Sequence, residues 1–99
     1  MNIEHLLREA ISKAFKELFD HEPELESLKI QPTRKEFPGT HTFVTFPFLR
    51  ITKKGPEETG KILGEYLRES SGLLKSFNVV KGFLNLEIND KSWLRVFDT

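Results

Sequence analysis

Cysteine is absent from this chain of 99 residues, so disulfides, thiolate metal sites and cysteine nucleophiles are excluded. A chain without cysteine suits a reducing compartment, and we expect a cytoplasmic protein. Net charge is also missing, because 15 basic residues balance 15 acidic ones. This balance disfavours a protein that is held on nucleic acid by bulk charge alone.

Long apolar runs are lacking as well. No stretch approaches the roughly 20 residues that a membrane-spanning helix requires. The N-terminus shows an amphipathic pattern where a signal peptide would need a solid apolar core. We therefore expect no membrane partner.

Catalytic motifs are missing too. The sequence has no Gly-rich phosphate loop, no HExxH motif and no nucleophile flanked by a base and an orienting group. His5, His21 and His41 stand singly, without the spacing of metal ligands. We expect no catalytic residue, metal site or cofactor within these residues, which favours a binding or interaction module.

Apolar periodicity predicts an α+β fold. A helical stripe begins at Ile3 and predicts a helix to about Asp20, and a second helix should begin at Pro56. Alternation predicts strands at 28–31 and from His41 to about residue 46. With a C-terminal hairpin, the order implies a small, mostly antiparallel sheet of about four strands with helices packed on one face.

The hairpin covers residues 79–88. Val79 and Val80 end its first strand, and Lys81 and Gly82 form the turn, with Gly82 expected to supply the positive φ of a tight reversal.

The second strand of this hairpin has two unlike faces. Its aliphatic face consists of Leu84, Leu86 and Ile88 and must meet a core. The other face presents Phe83 beside Asn85, with Lys81 just upstream. An aromatic ring, an amide and a cation can stack an unpaired base, read its edge and attract its phosphate. The alternative is that a helix covers Phe83 and that Asn85 is an ordinary polar residue.

Charge is distributed unevenly along the chain. Residues 1–26 hold three bases against seven acids, whereas residues 27–56 hold six bases against one acid. The bases of the second segment that lie in predicted loops are Arg34, Lys35, Lys53 and Lys54. A polyanion could meet these side chains if the fold gathers them on one surface.

A short last helix is predicted after Asn89 and Asp90, with Trp93, Leu94 and Phe97 sharing a face. We expect residues 89–99 to begin a linker toward another domain; a natural C-terminus is the alternative.

Several motifs together resemble the N-terminal additional domain of arginyl-tRNA synthetases, in particular its Bacteroidetes branch. They are Lys35–Gly39, Phe46–Arg50, Lys53-Lys54 before Pro56–Thr59, Ile62–Leu67 and Phe77–Asn85. The resemblance covers nearly the whole chain. Its most specific part is Gly82-Phe83-Leu84-Asn85, which is similar to the family's Gly-Phe-Ile/Leu-Asn/Gln signature.

The resemblance implies a function. Residues 1–88 would form the tRNA-binding additional domain, and residues 89–99 would lead to a catalytic domain outside these residues. In that family the domain contacts the D-loop at the outer corner of arginine tRNA. Carried over by position, Phe83 would stack on a D-loop base and Asn85 would bond its edge. A further Asn contact of some members falls on Val80, which cannot make it.

The resemblance also implies a parent enzyme. It would be an arginine-tRNA ligase, a class I synthetase that uses ATP with magnesium, whose nucleotide-binding signatures lie outside these residues. We expect the candidate tRNA-binding set to comprise Phe83, Asn85, Lys81, Lys53, Lys54, Arg34 and Lys35, in a monomer. A protein-interaction module of the same fold, without nucleic-acid binding, is the alternative.

Overall fold

The helices form where the apolar stripes predicted them. The computed structural model describes residues 3–97, and the side chains of residues 3–94. Helix α1 spans Ile3–Phe19, α2 spans Leu49–Thr52, α3 spans Pro56–Ser70 and α4 spans Asp90–Phe97. Pro56 stands in the first turn of α3, followed by acidic Glu57 and Glu58, which favour the positive end of the helix dipole.

Four strands form one antiparallel sheet. They are β1 (Ile30–Pro32), β2 (His41–Val44), β3 (Leu74–Val80) and β4 (Phe83–Ile88). Their order across the sheet is β1-β2-β4-β3, so β2 pairs with β4, which lies some forty residues further along the chain. The predicted α+β fold is confirmed.

The core lies between one face of the sheet and the two long helices. Phe15 of α1 meets Phe43 of β2 and Phe48 with ring centroids 6.3 and 5.1 Å apart. Helix α3 approaches β3 at two glycines. A Cβ built on Gly64 would lie 2.4 Å from the Phe77 ring, so only glycine permits this approach.

The chain between β2 and α3 differs from the prediction. The strand ends at Val44, and a 3-10 turn (Phe46–Phe48) leads directly into α2, which was not predicted. Pro47 lies within that turn, where its missing N–H costs no ladder bond. The first predicted strand is likewise shorter, because Leu28 precedes β1 and Pro32 ends it.

The β3–β4 turn corrects a second expectation. Lys81 takes the positive φ, at 57°, and Gly82 is not left-handed. Gly82 differs in another way: a Cβ there would lie 2.4 Å from Cζ of Phe46, so a larger residue would displace the ring that lies over the turn.

Helix α4 begins as predicted. The backbone N–H of Ser92 donates to Oδ1 of Asn89 at 2.8 Å, which caps the helix. Trp93 packs on the core, but Leu94 is 62% exposed, so these two side chains do not share a buried face as expected. The side chain of Phe97 lies outside the described part.

Candidate functional site

The candidate site lies on the face of the sheet that points away from the core. Leu84 and Leu86 of β4 point to the core, and therefore Phe83 and Asn85 point to the opposite, outer face. In the register of the sheet, Asn85 pairs with Thr42 of β2 on one side and with Asn78 of β3 on the other.

A pocket of about 220 Å³ opens on this outer face. Its lining consists of Gln31, Arg34, Phe37, Thr42, Val80, Lys81, Phe83 and Asn85. It therefore joins two phenyl rings, three amide or hydroxyl side chains and two cations, with no acid among them.

Four residues of the predicted set line this pocket together: Phe83, Asn85, Lys81 and Arg34. The other three do not line it. Lys35 is exposed in the β1–β2 loop. Lys53 is the left-handed cap of α2, and Lys54 lies 3.7 Å from Glu58 in an exposed ion pair. An exposed pair of this kind contributes little to stability.

The Phe83 ring is half-buried at the pocket wall. No helix covers it. The Phe46 ring contacts the Phe83 ring edge to face, with 5.9 Å between the ring centroids, and Phe46 is itself 47% exposed. The backbone N–H and hydroxyl of Thr45 both bond the carbonyl of Gly82, which fixes this segment to the hairpin turn.

Asn85 differs from the expectation in one respect. Its side chain is on the predicted face, but the residue is only 2% exposed rather than open to solvent. Its Oδ1 accepts from the Thr42 hydroxyl at 2.6 Å, and its Nδ2 donates to Oδ1 of Asn78 at 2.9 Å. A buried amide needs such partners, because an unpaired one costs about 1 to 3 kcal/mol.

The β1–β2 loop, residues 33–40, buries Asn85. The backbone carbonyl of Pro38 in this loop accepts from Nδ2 of Asn78 at 2.8 Å. Gly39, with φ of 134°, permits the closure, since a Cβ there would lie 3.2 Å from Oγ1 of Thr33 and 3.5 Å from Cβ of Asn85.

Sequence reasoning missed several residues of the pocket, namely Gln31, Phe37 and Thr42. The only signal for Thr42 and Gln31 was alternation in β1 and β2, which places both on the outer face once the strand register is known. No sequence signal indicated Phe37, because a loop has no periodicity.

A second surface feature is larger but unlike a base-binding site. A shallow groove of about 790 Å³ runs between α1 and residues 22–25. Its charged side chains are Glu9, Lys13, Lys16, Glu17, Glu22 and Glu24, of which Lys16 and Glu22 pair at 3.7 Å. Mixed charge and an acidic excess disfavour a polyanion there.

One titratable group departs clearly from its ordinary behaviour. Burial lowers the pKa of His41, and the charge of Glu4 opposes this in part. His41 is on the core side of β2, with Nδ1 2.9 Å from Oγ1 of Thr40 and its ring 5.9 Å from that of Trp93. It lies on the opposite face of the sheet from the pocket lining and contacts α4 through Trp93.

Within residues 3–97, no three His, Cys, Asp or Glu side chains are grouped so that they could hold a metal ion. In the same range, no helix is both long enough and apolar enough to cross a membrane.

The fold and the pocket together define a small α+β domain with an acid-free pocket on the outer face of its sheet. The chain belongs to the arginyl-tRNA synthetase N-terminal domain family, whose model matches residues 1–88. The predicted family is thereby confirmed.

Individual relatives agree with this assignment. The chain is 46% identical over 98 residues to the arginine–tRNA ligase of Amoebophilus asiaticus and 40% identical over 98 residues to that of Bacteroides thetaiotaomicron. Each match covers 99% of this chain and 16% of the relative. The chain thus spans about a sixth of the length of these curated relatives.

A solved structure has the same fold. Thermus thermophilus arginyl-tRNA synthetase superposes with a TM-score of 0.74 at 24% sequence identity, covering 96% of this chain and 15% of that one.

Proposed function

We propose that this domain binds the D-loop corner of arginine tRNA as the N-terminal part of an arginine–tRNA ligase. The catalytic domain would follow the linker that begins near residue 89, and the parent would use ATP with magnesium. On this proposal the protein acts in the cytoplasm as a monomer.

The observation that carries the proposal is the composition of the outer-face pocket. Phe83 offers a partly exposed ring, Asn85 offers a carboxamide, and Arg34 and Lys81 bring positive charge to the same opening. Single-stranded nucleic acid is bound by this combination, because every base has a face that stacks and every phosphate attracts a cation.

The pocket lining also explains how a chain with zero net charge could bind a nucleic acid. An acid-free lining creates a local positive field that the total charge conceals. Lys35, Lys53 and Lys54 lie outside the lining, and we propose them as phosphate contacts further along the tRNA backbone.

The first experiment is steady-state aminoacylation of arginine tRNA by the synthetase that carries this chain. Base stacking is worth about 1 to 3 kcal/mol, so Phe83→Ala should raise the KM for tRNA about fivefold to a hundredfold with little change in kcat. Leu94→Ala serves as the control, because Leu94 is an exposed apolar residue outside the pocket. An unchanged tRNA KM in Phe83→Ala rejects the proposed contact.

The second experiment measures salt dependence. Replacing Arg34 or Lys81 by Ala should weaken tRNA binding and reduce the slope of log K against log salt by roughly 0.7 to 0.9 for each lost phosphate contact. Lys75→Ala is the matched control, since Lys75 is exposed and outside the pocket lining. Equal slopes in all three variants would favour a protein-interaction module instead.

A further inference from the structure

A row of three polar residues crosses the outer face of the sheet. Thr42, Asn85 and Asn78 stand side by side on β2, β4 and β3, and both Thr42 and Asn85 are almost completely buried, at 3% and 2% exposure. The row joins the β1–β2 loop at both ends, through Thr33 on the β2 side and Pro38 on the β3 side.

The backbone carbonyl of Pro38 sets the direction of every hydrogen bond in this row. A carbonyl only accepts, so Asn78 must turn its Nδ2 toward Pro38, at 2.8 Å, and its Oδ1 toward Asn85. Asn85 must then direct its Nδ2 to Asn78, at 2.9 Å, and its Oδ1 to Thr42, at 2.6 Å. The Thr42 hydroxyl also lies 2.9 Å from Oγ1 of Thr33, in the β1–β2 loop.

This order leaves the Asn85 carboxamide with one hydrogen-bond donor and one acceptor that the network does not use and whose positions are fixed. One network bond occupies an N–H of the carboxamide and the other occupies an oxygen lone pair, so a second N–H and a second lone pair remain. Asn85 borders the pocket beside Phe83, and a ligand in the pocket would meet these groups there. A carboxamide that cannot turn over presents its donor and its acceptor in one order only.

Nucleobases differ in that order. Adenine and cytosine present an amino donor beside a ring-nitrogen acceptor on their pairing edge, whereas guanine and uracil present an oxo acceptor beside a ring N–H donor. A base whose ring is held on Phe83 and whose phosphate is held by the pocket cations cannot invert to compensate.

We infer that Thr42 and Asn78 are positioning residues that make Asn85 discriminate amino bases from oxo bases. The inference rests on the proposed function, because it specifies how the pocket would select an unpaired base of arginine tRNA. The expected ligand is a single unpaired nucleobase whose pairing edge presents donor and acceptor in one particular order.

The test uses arginine tRNA transcripts in which each unpaired D-loop nucleotide is exchanged in turn, A with G and C with U. With the unsubstituted synthetase, kcat/KM should fall about fivefold to a hundredfold at one position, the range expected for a bidentate base contact. Without such a position, the inference is overturned.

Thr42→Val and Thr42→Ser form the first matched pair of variants. Valine keeps the shape but cannot donate to Asn85, so the carboxamide can turn and the ratio between amino and oxo bases should approach one. Serine keeps the hydroxyl and should retain the ratio. Equal ratios in the two variants overturn the inference.

Asn78→Ala and Asn78→Asp form the second pair, at a half-buried position where folding is less at risk. Aspartate still accepts from Nδ2 of Asn85 and should retain discrimination, whereas alanine should lose it. A merely structural network would lower the stability of both proteins without changing the base ratio.

Failure of the inference is distinguishable from failure of the proposed function. If Phe83→Ala and Asn85→Ala raise the tRNA KM while Thr42→Val still discriminates as Thr42→Ser does, the pocket binds tRNA and the positioning role is wrong. If neither Phe83→Ala nor Asn85→Ala changes the tRNA KM, the proposed function itself is wrong.

Discussion

The middle of β4 is buried almost equally on both faces of the sheet but by different means. On the inner face Leu84 and Leu86 are fully buried, at 0% exposure, under α1 and α3. On the outer face Asn85 is 2% exposed under a loop, and its polar atoms are paired with Thr42 and Asn78. Apolar packing maintains the first face, and hydrogen bonds between side chains maintain the second. Burial alone therefore does not tell a core residue from a site residue; the kind of neighbour does.

The largest expected effect separates the two faces by stability. Leu86→Ala leaves a cavity in the core and should lower the free energy of unfolding by about 2 to 5 kcal/mol in urea denaturation. Phe83→Ala should cost less, about 1 to 2 kcal/mol, because that ring is half-buried and its described aromatic contact is a single edge-to-face pair with Phe46. Similar losses at both positions would mean that the outer face is core as well.

A smaller effect concerns the close approach of α3 to the inner face. Gly64→Ala would place a Cβ 2.4 Å from the Phe77 ring, and overpacking of this kind costs about 1 to 3 kcal/mol. Gly55→Ala is the control, because no atom lies within 4 Å of a Cβ built there. Thermal unfolding of the two variants compares them directly, and a stable Gly64→Ala protein would refute the tight packing of α3 on β3.

The smallest effect tests the titratable residue on the inner face. His41 pairs with Leu86 across the sheet, and burial lowers its pKa in the folded protein below that of the unfolded chain. Protonation therefore favours unfolding, so the contribution of neutral His41 is present above about pH 6.5 and is lost as the pH falls through the folded-state pKa.

Between pH 7.5 and 5.5, the unsubstituted chain should consequently lose more stability than His41→Gln. The difference should be on the order of 1 kcal/mol or less, because the ring is only partly buried. His21→Gln, at an exposed position, should follow the unsubstituted chain. Parallel pH profiles for all three proteins would contradict the role of burial at His41.

Much of the fold was predictable because its signals are local. The stripe of α1, the proline and acids that begin α3, and the alternation of β4 each depend on residues a few positions apart. Helix α2 was not predictable in this way: it has only four residues and follows a proline that indicated a bend.

The site was predictable in part for the same reason. Alternation placed Phe83 and Asn85 on the outer face, and the family signature agreed. Alternation could not reveal that Phe37 lines the pocket, nor that Lys53 and Lys54 lie outside the lining. Those facts depend on how a loop folds back on the sheet, which short-range spacing does not encode.

The sequence by itself determined the two-sided character of β4, because side-chain direction alternates in any strand. Only the tertiary structure decided that Asn85 is covered, that Lys81 rather than Gly82 takes the positive φ, and that the Phe46 ring lies close over Gly82. The physical reason is that these features arise from contacts between distant segments. The pairing of Thr42 with Asn85 joins residues 43 positions apart, and the closure of Pro38 on Asn78 joins residues 40 positions apart.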